Sequence, residues 1–196
     1  PANSPALEVN GIGINFGGVQ AAANVSLTAR PGSITSIIGP NGAGKTTALN
    51  MISGSYAPDS GTVTLEQELA GLPAWKVARA GIARTYQTTQ LFGELSVLDN
   101  VLAGMQRGRL GRILSAASSA ERDIAMQLLA LVGYQGSVNT AADELPHVDR
   151  RLVEIARALA SRPAVLLLDE PAAGLSRSDT DQLAALFRQL AGFNIA

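Results

Sequence analysis

The sequence predicts an α/β fold, and three observations carry that prediction. Two apolar runs, residues 34–38 and 164–168, read as buried strands. Residues 97–159 between them read as mostly helical, so α/β segments flank a helical insertion. The third is Gly39-Pro40-Asn41-Gly42-Ala43-Gly44-Lys45-Thr46, which follows the first run directly and fits the phosphate-binding pattern G-x-x-x-x-G-K-[ST]. That pattern needs a strand before it and a helix after it, and residues 47–53 supply the helical reading.

Taken in order, residues 1–5 read as a linker. Residues 7–9 and 12–16 read as short strands separated by a turn at Asn10-Gly11, and residues 24–29 as another strand that ends at a Pro31-Gly32 turn. After the glycine-rich loop and its helix, the Pro58 to Gly61 stretch signals a turn and residues 62–65 alternate like a strand. Residues 73–80 form a short helix candidate and 82–86 a strand. Three helices are expected at 97–105, 119–132 and 151–160. The second carries Ile124, Leu128, Leu131 and Val132 at helical spacing, and the third Leu152, Ile155, Ala156 and Leu159 on one face. A helix over 178–190 follows the second buried strand, with Leu183, Leu186, Phe187 and Leu190 as its apolar positions. No internal repeat is present, and the only biased stretch is the Ala/Ser-rich 115–120.

Composition narrows the function classes. The chain has 196 residues, 46% hydrophobic and 16% charged, which is globular composition and enough for one sizeable core. A formal net charge of −1 offers no bulk electrostatic case for nucleic acid. With no cysteine and His147 as the single histidine, disulfides, thiolate metal sites and multi-histidine sites are excluded. No apolar run approaches the ~20 residues of a membrane span, and no signal segment opens the sequence. The chain therefore reads as soluble and intracellular, with any membrane association supplied by a partner.

The residue types of the loop suit a triphosphate. Gly39, Gly42 and Gly44 let the backbone curl so that its N–H groups face phosphate oxygens, and the helix that follows adds its positive end. Asn41, Ala43 and Thr47 belong to the same nucleotide-binding set. Lys45 can reach the β- and γ-phosphates, and the Thr46 hydroxyl can ligate Mg²⁺. The run at 164–168 ends in Asp169 and Glu170. Asp169 at the strand end can hold Mg²⁺ through water, and Glu170 can polarise an attacking water. Two adjacent acids at a strand end also describe a plain solvated exit, and the phosphate loop is what weighs against that reading.

Together these segments resemble the nucleotide-binding subunits of ABC transporters, in the right order along nearly the whole chain. Phe16-Gly17-Gly18, the 81–87 stretch ending in Thr85-Tyr86-Gln87, residues 91–101, residues 154–159 and Glu170-Pro171-Ala172-Ala173-Gly174 are similar, more narrowly, to the branched-chain amino-acid uptake ATPases. The resemblance implies a P-loop NTPase (ABC ATPase) core with an N-terminal antiparallel β-subdomain and a helical subdomain. It implies one nucleotide-binding domain over 1–196, divided at 6–90, 91–160 and 161–196. Phe16 is expected to stack on adenine, with an ordinary core phenylalanine as the alternative. Gln87 is expected to contact Mg²⁺ or the attacking water and to sense a membrane partner. Residues 91–101 are expected near a transmembrane permease subunit, or else in ordinary subdomain packing. Arg107, Arg109 and Arg112 read as a solvated basic loop, with an anionic membrane surface as the alternative. The implied cofactors are ATP and Mg²⁺. The implied partners are the permease, a second ATP-binding subunit, identical or not, and indirectly a solute-binding protein, with no nucleic acid. The implied location is peripheral, on the cytoplasmic face of the cell membrane.

The sequence departs from the family in three places. Where the family reads L-S-x-G-Q, this chain has Leu145-Pro146-His147-Val148-Asp149. Pro146 has no hydroxyl and no N–H, and Val148 places a branched side chain where close backbone approach is wanted. Asp149 remains a fitting cap or first-turn acid, and His147 is expected in an exposed loop. Ser176 stands where other family members carry an aspartate. The chain ends before the family's switch histidine, so a truncated cassette with weak turnover is expected. Two other readings use the same residues: a regulatory module that binds ATP but scarcely hydrolyses it, and an ABC ATPase serving another solute.

Overall fold

The computed structural model describes residues 5–105 and 117–196. The linker at 1–4 and the three arginines of the basic stretch, Arg107, Arg109 and Arg112, lie outside the described residues. The chain divides into two compact units, Pro1–Ile82 with Phe187–Ala196, and Ala83–Leu186.

The first unit holds a four-stranded antiparallel sheet in the order β2-β1-β3-β4, formed by β1 (Leu7–Phe16), β2 (Val19–Ala29), β3 (Ser60–Leu65) and β4 (Gln67–Glu68). The turn expected at Asn10-Gly11 is instead an irregularity inside one long strand, with the β1–β2 register shifting between Val9 and Ile12 and Gly11 at φ +60°. The apolar set explains why. Leu7, Val9, Ile12 and Ile14 are all buried, and an extra residue between Val9 and Ile12 is what keeps both pairs on one face. The true reversal is at Gly17-Gly18, which sit at φ +54° and +86° between the paired residues Phe16 and Val19. Positive φ at both central positions is the requirement of a tight type I′ hairpin, and glycine meets it without strain. β2 therefore starts five residues ahead of the expected 24.

Residues 34–38 correct a second expectation. They make no strand ladder among the described residues, and Ile34 and Ile38 are 57% and 91% exposed. A strand exists through its neighbours' hydrogen bonds, and none of the four strands of this unit runs beside this segment. Helix α1 (Lys45–Ile52) begins two residues before the expected 47 and buries Ala48, Met51 and Ile52. The short α2 (Ala74–Arg79) buries Val77 and leaves Trp75 on the surface, with Lys76 and Arg79 over its ring at 5.4 and 5.0 Å.

The second unit packs α3 (Val97–Gly104), α4 (Ser119–Leu131) and α5 (His147–Ala160) together with a two-stranded ladder of β5 (Ile82–Arg84) and β6 (Val165–Leu167). Helix α6 (Arg177–Gly192) begins here. Sequence explains the helix starts. Ser118 and Glu121 cap α4 reciprocally, and Ser96 accepts from the Asp99 N–H at the start of α3. Gly104 lets α3 approach α5, since a Cβ there would stand 2.2 Å from the Arg157 carbonyl oxygen. Helix α5 starts four residues before the expected 151, so His147, Val148 and Asp149 form its first turn rather than a loop.

Asn100 organises the segment ahead of α3. Fully buried, it accepts from the Phe92 N–H at 2.9 Å and donates to the carbonyls of Phe92, Leu95 and Ser96 at 3.0–3.3 Å. Asn100→Ala strands several backbone groups at once and is expected to cost about 2–4 kcal/mol, read as a lowered urea midpoint with an unchanged m-value.

Candidate functional site

The glycine-rich loop, residues 39–44, meets α1 at Gly44, which adopts a left-handed φ of 81° as the residue preceding the helix. A Cβ on Gly44 would stand 2.4 Å from the Ala21 carbonyl oxygen, so its lack of a side chain both permits the turn and lets the loop lie against β2. Gly42 is also left-handed, at φ +82°. The start of α1 has no side-chain cap and no acid in its first turn. A helix start without a side-chain cap or a first-turn acid suits an anionic ligand. Lys45 spans the loop from inside, its Nζ donating to the carbonyls of Gly39 and Pro40 at 2.9 Å each. Asn41, Ala43 and Thr46 are exposed beside it, with Thr47 half-buried.

Phe16 sits in the same unit, at the tip of the β1–β2 hairpin, and is 46% exposed. It is therefore not the core phenylalanine of the alternative reading. Its ring meets that of Tyr56 edge-on, with centroids 5.3 Å apart and planes at 74°. Tyr56 is held by its N–H to the Asn50 carbonyl of α1 at 3.1 Å. Sequence reasoning passed over Tyr56. An aromatic just past the helix that follows a phosphate loop was the available signal.

The second unit carries the two acids. Asp169 is 3% exposed and paired with Arg84, whose Nη2 lies 3.1 Å from its Oδ2. Arg84 also lies 4.9 Å from the centre of the Tyr86 ring. This partner was legible only as a basic residue in an otherwise apolar run leading to Gln87. Glu170 is exposed, with a left-handed φ of 45° that a non-glycine residue rarely adopts, and accepts from Gln87 Nε2 at 2.9 Å. Strain of this kind persists where the surroundings impose it, and it accords with a functional position. The structure thus brings Gln87 and Glu170 together. Thr46 in the first unit and Asp169 in the second each carry a hard oxygen, the donor chemistry Mg²⁺ takes. Among the described residues no group of three or more acidic, histidine or cysteine side chains could hold an ion by itself.

The divergent stretch spans the start of α5. Val148 lines a small groove with Val132, Leu152, Leu175 and Leu183, all within this unit. His147 is exposed, its Nε2 3.4 Å from the Ala173 oxygen. Ser176 is engaged at the start of α6: its hydroxyl accepts from the Asp179 N–H at 3.2 Å and donates to the Asp179 carboxylate at 2.6 Å. No helix of the described residues is long and apolar enough to cross a membrane.

A glycine-rich loop at an uncapped helix start, an exposed aromatic on a hairpin tip and a glutamine bound to a strand-end glutamate define an ATP-binding cassette. The model of the ABC transporter family matches residues 22–173, and the chain belongs to that family. It is 41% identical over 96% of its length, and 78% of the relative's, to the high-affinity branched-chain amino acid transport ATP-binding protein LivG of Salmonella typhimurium. It is 39% identical over 95% of its length, and 77% of the relative's, to BraF of Pseudomonas aeruginosa, which carries the same description. Among solved structures, the ADP conformation of MJ1267, an ATP-binding cassette of an ABC transporter, superposes with a TM-score of 0.87 at 29% identity. That match covers 98% of this chain and 79% of the other.

Gly44→Ala forces a side chain into a left-handed residue against a backbone oxygen. It is expected to weaken binding of a fluorescent ATP analogue by tenfold or more, about 1.4 kcal/mol, in an equilibrium titration.

Proposed function

We propose that this chain is the ATP-hydrolysing subunit of an importer of the branched-chain amino-acid class, working as one of a pair of ATP-binding subunits against a transmembrane permease at the cytoplasmic face of the membrane. The observation that carries the reading is the 41% identity to a branched-chain amino acid transport protein, sustained over 96% of the chain and therefore through both the phosphate loop and the acids. A solute-binding protein acts upstream of the permease in this reading.

The residue types and the local geometry within each unit support the following roles. The loop amides and Lys45 take the triphosphate, and Phe16 stacks on the base. Thr46 and Asp169 would be the residues to hold Mg²⁺, which would supply charge neutralisation at the phosphates. Asp169 is paired with Arg84, so its carboxylate would be shared between the guanidinium and the ion. Glu170 takes the proton of the attacking water or orients it, and Gln87 holds Glu170 in register beforehand. Phosphoryl transfer needs little beyond such positioning and charge stabilisation.

One feature favours a second reading, a nucleotide-binding module with little turnover. Pro146 offers no N–H, and Val148 carries a branched side chain that lines a groove within its own unit. In the importer reading this stretch closes on the partner subunit's nucleotide, and both residues weaken that closure.

Mg-ATP affinity and steady-state hydrolysis separate the two readings. Glu170→Gln is expected to keep Mg-ATP affinity within about threefold and to lower turnover by a factor of about 100 or more. Unchanged turnover would remove Glu170 from the chemistry. Lys45→Ala is expected to weaken Mg-ATP binding at least tenfold, about 1.4 kcal/mol. Tight binding with no turnover in the parent chain decides for the regulatory module.

A further inference from the structure

Helix α5 carries a charged pair in an apolar setting. Arg151 and Glu154, one turn apart, are each 1% exposed, with Nη1 of the arginine 2.9 Å from Oε2 of the glutamate. Their neighbours Val153, Ile155 and Ala156 are fully buried. Withdrawing two charges from water is costly enough that a hydrophobic pair of similar volume often packs as well or better. Packing alone therefore does not account for the pair.

The pair binds backbone. Arg151 donates through Nη1 to the Tyr86 carbonyl at 2.7 Å and through Nη2 to the Gln87 carbonyl at 3.0 Å. Glu154 Oε1 accepts from the N–H groups of Tyr86 and Gln90 at 3.2 and 3.4 Å. These residues have just left β5 and belong to no helix or strand, so side chains supply what a ladder supplies elsewhere. On the β5 side, the Thr85 N–H donates to Leu167 of β6 at 3.0 Å. Further along, Arg157 of α5 donates to the Gln90 carbonyl. Burial pulls the Arg157 guanidinium below its ordinary value, with Glu154 opposing the shift. Gln87 is thus held from α5 on one side and from the β6 strand on the other, with its side chain 2.9 Å from Glu170.

We propose that Arg151 and Glu154 are positioning residues for Gln87: they grip the backbone at 86, 87 and 90, fix the Gln87 amide on Glu170, and make that contact depend on where α5 lies. The inference rests on the ATPase reading for its catalytic consequence and on the clasp geometry alone for its structural one. Neither side chain belongs to the phosphate loop or to the acid pair.

The test replaces the pair without leaving a buried charge, as Arg151→Met with Glu154→Leu. Three readouts are taken on the whole chain: thermal melting with Mg-ATP affinity, the NMR signals of the Gln87 side-chain amide, and turnover with and without Gln87→Ala. The double replacement is expected to stay folded and to hold Mg-ATP within about threefold, because it spares the phosphate loop. The Gln87 amide protons are expected to move to the position of a solvated glutamine and to exchange at least about tenfold faster. Turnover is expected to fall by up to about 100-fold, the scale on which small misplacements act. In the Gln87→Ala background the same replacement should cost nothing more. A folded variant whose Gln87 signals are unchanged overturns the proposal, as do turnover losses that multiply in the Gln87→Ala background. Should the double replacement not fold, Glu154→Gln, which removes the charge and keeps the shape, is read by the same NMR signals: shifted, faster-exchanging amide protons support the clasp, and unchanged ones overturn it. A parent chain without turnover removes the ATPase reading, while the amide signals still decide the clasp.

Discussion

Backbone amides and carbonyls that leave a helix or strand must still find partners, and the functional segments of this chain are irregular ones. A few polar side chains meet that demand. Lys45 bridges the carbonyls of the glycine-rich loop, Asn100 collects four backbone bonds ahead of α3, and Arg151 with Glu154 secures residues 86, 87 and 90. Each does so on or beside the first turns of a helix, where side-chain direction is well defined. Non-repetitive chain is thereby held with the precision of a regular element, which positioning chemistry requires.

The same economy governs charge. Asp169 is almost entirely buried, yet it faces Arg84 rather than an apolar wall, and Glu170 is exposed with an amide at hydrogen-bond distance. Adjacent in sequence, the two carboxylates meet different environments: one is neutralised by a cation, the other is held by a neutral donor. That difference accords with the separate roles proposed for the two acids.

Much of the fold and site was legible because it depends on local sequence. The phosphate loop, the capped helices and the acid pair at the end of β6 fall where periodicity and turn chemistry put them. What was misread depends on neighbours. Asn10-Gly11 has the composition of a hairpin turn, but the burial of Leu7, Val9, Ile12 and Ile14 on one face converts it into a bulge. Residues 34–38 have the composition of a core strand, but strand identity requires an adjacent strand, which composition cannot supply. Arg151 and Glu154 were visible as charges among buried neighbours on α5, yet their partners lie 64 or more residues away and no spacing rule reaches them.

The single tryptophan of the chain, Trp75, lies on α2 in the first unit, and residues 83–186 contain none. Its emission is therefore a one-sided gauge: it reports the surroundings of the sheet-bearing unit and is blind to the helical one. Far-ultraviolet dichroism weights the opposite way, since α3, α4 and α5 all belong to the second unit. Superimposable melting curves from the two signals would mark one cooperative block, and separated curves two independently melting ones. The placement of one indole thus gives the chain a built-in optical test of whether its two halves share their stability.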